Sequence, residues 1–214
     1  MLRSEIKSRI RALPSLREFR RHGLSFLRVD VAVLAVLISF VAVPFAYPQE
    51  RQATEYQLKA AFLFNFAKFV DWPDKSFASP QSPFTICVIG QDPFGDALNE
   101  YLAKSIEGRS VHISHFVSGS ALTEERHCQI AFISASEKTH FHAVIEGLNG
   151  NAILLVGDAD GFAASGGTIE FTLEDNHIRF SINPDAAQRA DLKVSSKLLG
   201  LAKIVHDGSN NGKS

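Results

Sequence analysis

The eight histidines and two cysteines of this chain are the residues best suited to metal or thiol chemistry. Their spacing opposes a metal centre. His112 and His115 are three apart on a predicted strand and so point to opposite faces. His140 and His142 are two apart on a predicted helix, which also separates them. His127 beside Cys128 is the best remaining pair, and it requires a reduced thiol. No metal is expected. For hydrolysis, Phe162-Ala163-Ala164-Ser165-Gly166-Gly167 lacks the G-x-S-x-G spacing of a nucleophile elbow, and no histidine is placed to serve Ser165. The turn Gly90–Gly95 follows a predicted strand and opens a helix, a place where an anion can sit. It has neither the G-x-G-x-x-G spacing nor a following Lys-Ser/Thr, so a structural turn is the better reading. No enzyme and no cofactor are expected.

One polar constellation remains. Arg179 and Asn183 are four apart in RFSIN and share a strand face. An arginine there offers a planar donor fork for a carboxylate or phosphate. The plainer alternative is a surface arginine paired with Glu170 or Asp185. Phe162, Glu170, Arg179 and Asn183 surround a glycine-rich segment that reads as exposed. Such loops often carry function, and these four are the expected contact or ligand residues.

The elements that must position them follow from hydrophobic patterning. Residues 56–73, YQLKAAFLFNFAKFVDWP, read as a helix with one narrow polar stripe of Gln57, Ala61, Asn65 and Lys68. Leu58, Phe62, Leu63, Phe66, Phe69 and Val70 cover most of the rest, interrupted by Lys59. A helix this apolar needs cover on several sides, from its own core or from another molecule. Strands are predicted at Phe84–Ile89, Ser110–Val117, Gln129–Ser134 and Ala152–Gly157. Helices are predicted from Asp92 to about Lys104 and over Lys138–Leu148, with a polar, helical connection at Glu124–His127. This alternation predicts an α/β fold with a mainly parallel sheet flanked by helices. A C-terminal β-hairpin follows, Thr168–Leu173 and His177–Ile182 about a three-residue turn. Helices at Pro184–Arg189 and Ser195–Val205 complete the body.

Charge divides the chain. Residues 1–46 carry eight Lys/Arg against three acidic residues, while the remainder holds 14 basic and 20 acidic. An acidic body without a Lys/Arg cluster argues against nucleic-acid binding. The basic head leads into Val31–Val43, an apolar run short for a membrane span. Residues 1–46 therefore read as a secretory signal peptide or an uncleaved N-terminal membrane anchor. Ala46 is the candidate cleavage point, although Pro44 at the −3 position matches poorly. Either way the positive charge stays inside and the body faces outward. Residues 54–206 form the α/β domain, and 207–214 are a polar tail. Outside the cytoplasm, an even pair such as Cys87 and Cys128 is more often a disulfide than a catalytic thiol. In a doubly wound order, strands one and three are neighbours, which brings the two cysteines within reach. Closing that loop would remove roughly 4 kcal/mol of unfolded-state entropy.

Several separated motifs appear in a fixed order: KAAFLFNFAKFVDWP at 59–73, ICVIGQDPFG at 86–95, Gly108-Arg109 and CQIAFIS at 128–134. ILLVGDADGFAASGGTIEF at 153–171, RFSINPDAA at 179–187 and SSKLLGLAKIV at 195–205 follow. In these the chain resembles the YfiR/HmsC-like family of exported proteins. The resemblance implies a periplasmic repressor of a membrane-bound diguanylate cyclase. Such a protein acts through the cyclase's periplasmic sensor region, lowering cyclic-di-GMP signalling and biofilm formation. It implies a homodimer and a disulfide between Cys87 and Cys128. A second cysteine pair found in some members has no counterpart here. The alternative is a periplasmic small-molecule-binding sensor without a cyclase partner, its ligand near Arg179.

Overall fold

The computed structural model describes residues 47–118, 127–148 and 150–208, with the backbone alone for 47–51. The chain divides into two units, Met1–Pro48 and Gln49–Ser214, and the sheet lies wholly in the second. The expected signal segment and most of the Glu124–His127 connection fall outside the described residues. Among the described residues, no helix is long and apolar enough to cross a membrane.

Helix α1 (Tyr47–Phe66) opens the fold. It starts earlier and ends earlier than the predicted 56–73 segment. After Phe66 the chain leaves the helix, and β1 (Val70–Asp71) pairs antiparallel with β9 (Lys193–Val194) in a small second sheet. Trp72 then anchors the exit. Its ring meets Phe84 edge-on at 5.0 Å, and its indole N–H donates to the Gln129 carbonyl.

The main sheet contains β2 (Phe84–Ile89), β3 (Ser105–Ile106), β4 (Arg109–Phe116), β5 (Ile130–Ile133) and β6 (Leu154–Gly157). It is completed by β7 (Ile169–Glu174), β8 (His177–Ile182) and β10 (Lys203–Ile204), in the order β10-β8-β7-β6-β5-β2-β4-β3. From β4 through β2, β5 and β6 to β7 every pairing is parallel. The β3–β4 and β7–β8 pairings are antiparallel, so the sheet is mixed with a parallel centre. Its central strands are buried on both faces, as the continuous apolar runs require.

Two apolar cores lie on opposite faces. On one side Leu63 and Phe66 of α1, with Ala67 just after it, pack with Ile86, Val88, Phe132, Phe171 and Phe180. On the other, α2 (Phe141–Leu148) packs with Ile89, Ile133, Leu155 and Phe162, beside the Cys87–Cys128 disulfide. The period-2 alternation of a strand sorts Ile86 and Val88 from Cys87 and Ile89 in this way. The polar stripe of α1 holds for Gln57 and Asn65, which are exposed, whereas Ala61 is partly covered and Lys68, also exposed, falls in the turn after the helix.

Several local expectations give way to other structure. Asp92 caps a turn rather than an α-helix: its Oδ1 accepts the Phe94 N–H at 2.8 Å, and a 3-10 helix spans Gly95–Tyr101. The hairpin turn has two residues, not three. Glu174 pairs with His177, and Asp175 and Asn176 both take positive φ (49° and 60°), the signature of a type I′ turn. Ser195–Val205 splits into α4 (Ser196–Leu199) and β10, which pairs in parallel with β8. Between β8 and β9 lies α3 (Pro184–Arg189).

Candidate functional site

The order of the strands selects a place for a site before any side chain is considered. After β2 the chain moves to β4 on one side, then crosses back to β5 on the other. The connections leaving the carboxyl ends of β2 and β5 therefore diverge, and a crevice opens between them. A cavity of about 500 Å³ lies there. Gln91, Asp92 and Pro93 line it from the loop after β2, and Ser134 and Ser136 line it from the loop after β5. Helix α1 supplies a further wall through Gln52 and Tyr56.

The two loops are joined where they meet. The Gln91 N–H donates to Ser136 Oγ at 2.9 Å, and the Ser134 side chain caps the following 3-10 turn. Gly90 has φ +88°, and a Cβ there would meet Ser136 Oγ at 2.5 Å. Only glycine satisfies both that conformation and that approach.

Beside the crevice stands a buried polar cluster that sequence reasoning missed. Lys59 Nζ lies 2.9 Å from Asp158 Oδ2 and 2.6 Å from Glu55 Oε1. The Tyr56 hydroxyl donates to the same Asp158 oxygen at 2.7 Å. The side chains of Lys59 and Asp158 are 7 % and 4 % exposed. Asp158 Oδ1 is buried without a hydrogen-bond partner, at a typical cost of about 1–3 kcal/mol. Burial, then the hydrogen bond and charge of Asp158, raise the Tyr56 pKa far above its ordinary value, so the phenol stays protonated. The Tyr56 ring in turn stands edge-on to Phe94, 5.3 Å between centroids. The available signals were a lysine inside an apolar helix and an aspartate just past a buried strand.

The four expected contact residues are placed as follows. Phe162 is fully buried, packed edge-on against Phe141 and pressed on Gly157 and Gly167. A Cβ at Gly167 would run into the Phe162 ring. Glu170 is 2 % exposed and accepts the N–H groups of Gly161 and Ala163. Asn183 is fully buried and caps α3 by accepting from Asp185 and Ala186, while its amide donates to the Ala163 carbonyl and Asp207. These three hold the glycine-rich loop inward, so the exposed segment read from sequence is a folded one. Arg179 alone of the four is exposed. It pairs with neither Glu170 nor Asp185: Glu170 is turned to backbone N–H groups, and Asp185 lies 2.8 Å from His206 Nδ1. Asp207, the expected first residue of the tail, is tied to Arg189 and Asn183. Its carboxyl is held below the usual range, first by the Arg189 hydrogen bond, against desolvation, with help from Asn183. Among the described residues, no cluster of three or more His, Cys, Asp or Glu side chains converges as a metal site.

The YfiR/HmsC-like family model matches residues 56–203. The chain belongs to the YfiR/HmsC-like family. Among solved structures, an ABC domain in complex with L-Trp from Streptococcus pneumonia matches at 12 % identity and TM-score 0.44, covering 57 % of this chain and 55 % of that one. A conserved domain protein from Vibrio cholerae O1 biovar El Tor str. N16961 matches at 11 % identity and TM-score 0.47, covering 70 % and 59 %. The chain thus spans little more than half the length of either, and at these values neither informs fold or function. Membership in the YfiR/HmsC-like family supports a regulatory role in the periplasm.

Its motif residues now have physical tasks. Arg109 of this YfiR/HmsC-like domain stacks 3.8 Å from the Phe77 ring centroid and donates to the carbonyls of Ser79, Pro80 and Ser82, pinning the loop before β2. Gln129 accepts the Thr85 N–H and donates to the Ser76 carbonyl, joining that loop to β5. Cys87 and Cys128 are bonded, with Cα atoms 5.8 Å apart.

Proposed function

We propose that this protein is an exported regulatory module that represses a membrane-bound diguanylate cyclase by binding the cyclase's periplasmic sensor region. The observation that carries this reading is the family match across residues 56–203, nearly the whole described body. Repression lowers cyclic-di-GMP and biofilm formation, and two copies of the chain act as a homodimer. Contact alone does not repress: the protein must bind the inactive form of its partner more tightly than the active form. A swing from almost fully active to almost fully inactive needs a preference of about 10⁴-fold. Arg179 is the exposed candidate for that contact, and Phe162, Glu170 and Asn183 support it by fixing the loop behind the hairpin.

Deleting the gene should raise cyclic-di-GMP, and restoring the wild-type chain should lower it again. A pull-down from membranes should recover the cyclase, with less recovered by Arg179→Ala. Unchanged cyclic-di-GMP on deletion removes the repressor role. A second reading, a small-molecule sensor without a cyclase partner, is favoured by the crevice between the β2 and β5 loops.

A further inference from the structure

We propose that the crevice at the carboxyl ends of β2 and β5 is a binding site for a small organic amine, a hydrogen-bond-donating cation. The inference rests on the small-molecule reading of this crevice and adds the ligand's chemistry. Place and size come first. A cavity of about 500 Å³ falls within the usual range for small-ligand sites, and it opens where the two connections diverge.

The position of the Asp158 carboxylate is the second observation. Ile133 is level with Gly157 in the β5–β6 register, so Ser134, which lines the crevice, and Asp158 follow as neighbours on the carboxyl edge. Tyr56 links the two places, since it lines the crevice and its hydroxyl donates to Asp158 Oδ2. Asp158 does not itself line the crevice; its Oδ1 is a buried acceptor without a partner, and Tyr56 connects it to the lining.

Charge selects the class. Asp92 lines the crevice, with Oδ1 on the Phe94 N–H and Oδ2 3.4 Å from His115 Nδ1. The one buried ammonium nearby, Lys59, is spent on Glu55 and Asp158. An anionic ligand would meet the Asp92 carboxylate, whereas an amine finds acceptors in Asp92, the two serine hydroxyls and the amide oxygens of Gln52 and Gln91. A hard metal ion needs six or more converging oxygens, and no such carboxylate cluster is present among the described residues.

The test uses the full chain, labelled with nitrogen-15, titrated at millimolar concentration with 1,4-diaminobutane, ethanolamine, succinate and calcium chloride in turn. The amines should give saturable shifts at the amides of Gln91, Ser134, Ala135 and Ser136. Asp92→Asn should weaken that binding about tenfold while leaving the rest of the spectrum in place. Asp158→Asn is the second variant, its fold checked by the same spectrum, and it should also weaken binding through Tyr56. Succinate shifting these amides in place of the amines would overturn the ligand class and leave a small-molecule site standing. Calcium alone reproducing the amine shifts would equally overturn it. No probe moving these amides would overturn both the class and the small-molecule reading of the crevice.

Discussion

Replacing Lys59 by methionine should destabilise the domain more than any surface lysine change, because it strands a buried carboxylate. Lys59 and Asp158 are 7 % and 4 % exposed and 2.9 Å apart, so water cannot take over the lost contact. Breaking one partner of such a pair costs about 3–5 kcal/mol, whereas exposed pairs are worth at most about 1 kcal/mol. For a domain of this size each kcal/mol lowers Tm by about 2–4 °C, so the fall should be roughly 10 °C. Adding Asp158→Asn to Lys59→Met should recover most of it. The asparagine oxygen still accepts the Tyr56 hydroxyl, and the carboxylate left by Lys59, Glu55, is 22 % exposed and open to water. The double variant should then lie within about 2 kcal/mol of wild type, a coupling of at least about 2 kcal/mol in a denaturant-melt cycle. Additive costs, or a single-variant loss below about 1 kcal/mol, would refute the claim that the pair is sequestered.

Two further outcomes are expected. Changing Cys87 and Cys128 together to serine should cost about 4 kcal/mol, from a loop of sequence separation 41, and thiol labelling of the unfolded, non-reduced wild type should find no free cysteine. Two free thiols would end that account. Asp207 has a lowered folded-state pKa, so its contribution is present above the unfolded pKa and lost as pH falls through the folded value. Carboxyl carbon-13 titration should place Asp207 below the usual aspartate range and Arg189→Gln should move it up. Equal titration in both proteins would remove Arg189 as the cause.

The layers were legible in the sequence because they depend on local patterning. FTICVI and AILLV announce buried strands, and the Phe-rich helix announces a core element. The pairings that define the candidate site were not, since Lys59 meets an aspartate 99 residues away and periodicity carries no such information. Phe162, Glu170 and Asn183 misled for a related reason. Glycines around a loop suggest exposure, yet here Gly157 and Gly167 make room for an aromatic ring to turn inward. The I′ hairpin turn shows a finer limit. Glu174-Asp175-Asn176 looks like a three-residue loop until the register assigns Glu174 to the strand.

The pairing of α1 with the β7–β8 hairpin has a consequence for how the chain is made. Phe62 and Phe66 find their aromatic partners in Phe171 and Phe180, and Val70 finds its strand partner in Val194. A growing chain presents Phe62 and Phe66 more than a hundred residues before Phe171 and Phe180 follow, although Phe94 and Tyr101 reach Tyr56 and Phe64 earlier. Contacts of such long separation are slow to form, and uncovered apolar surface invites aggregation meanwhile. Part of the aromatic face of this early helix is thus sheltered late, which makes it a natural foothold for a holding chaperone.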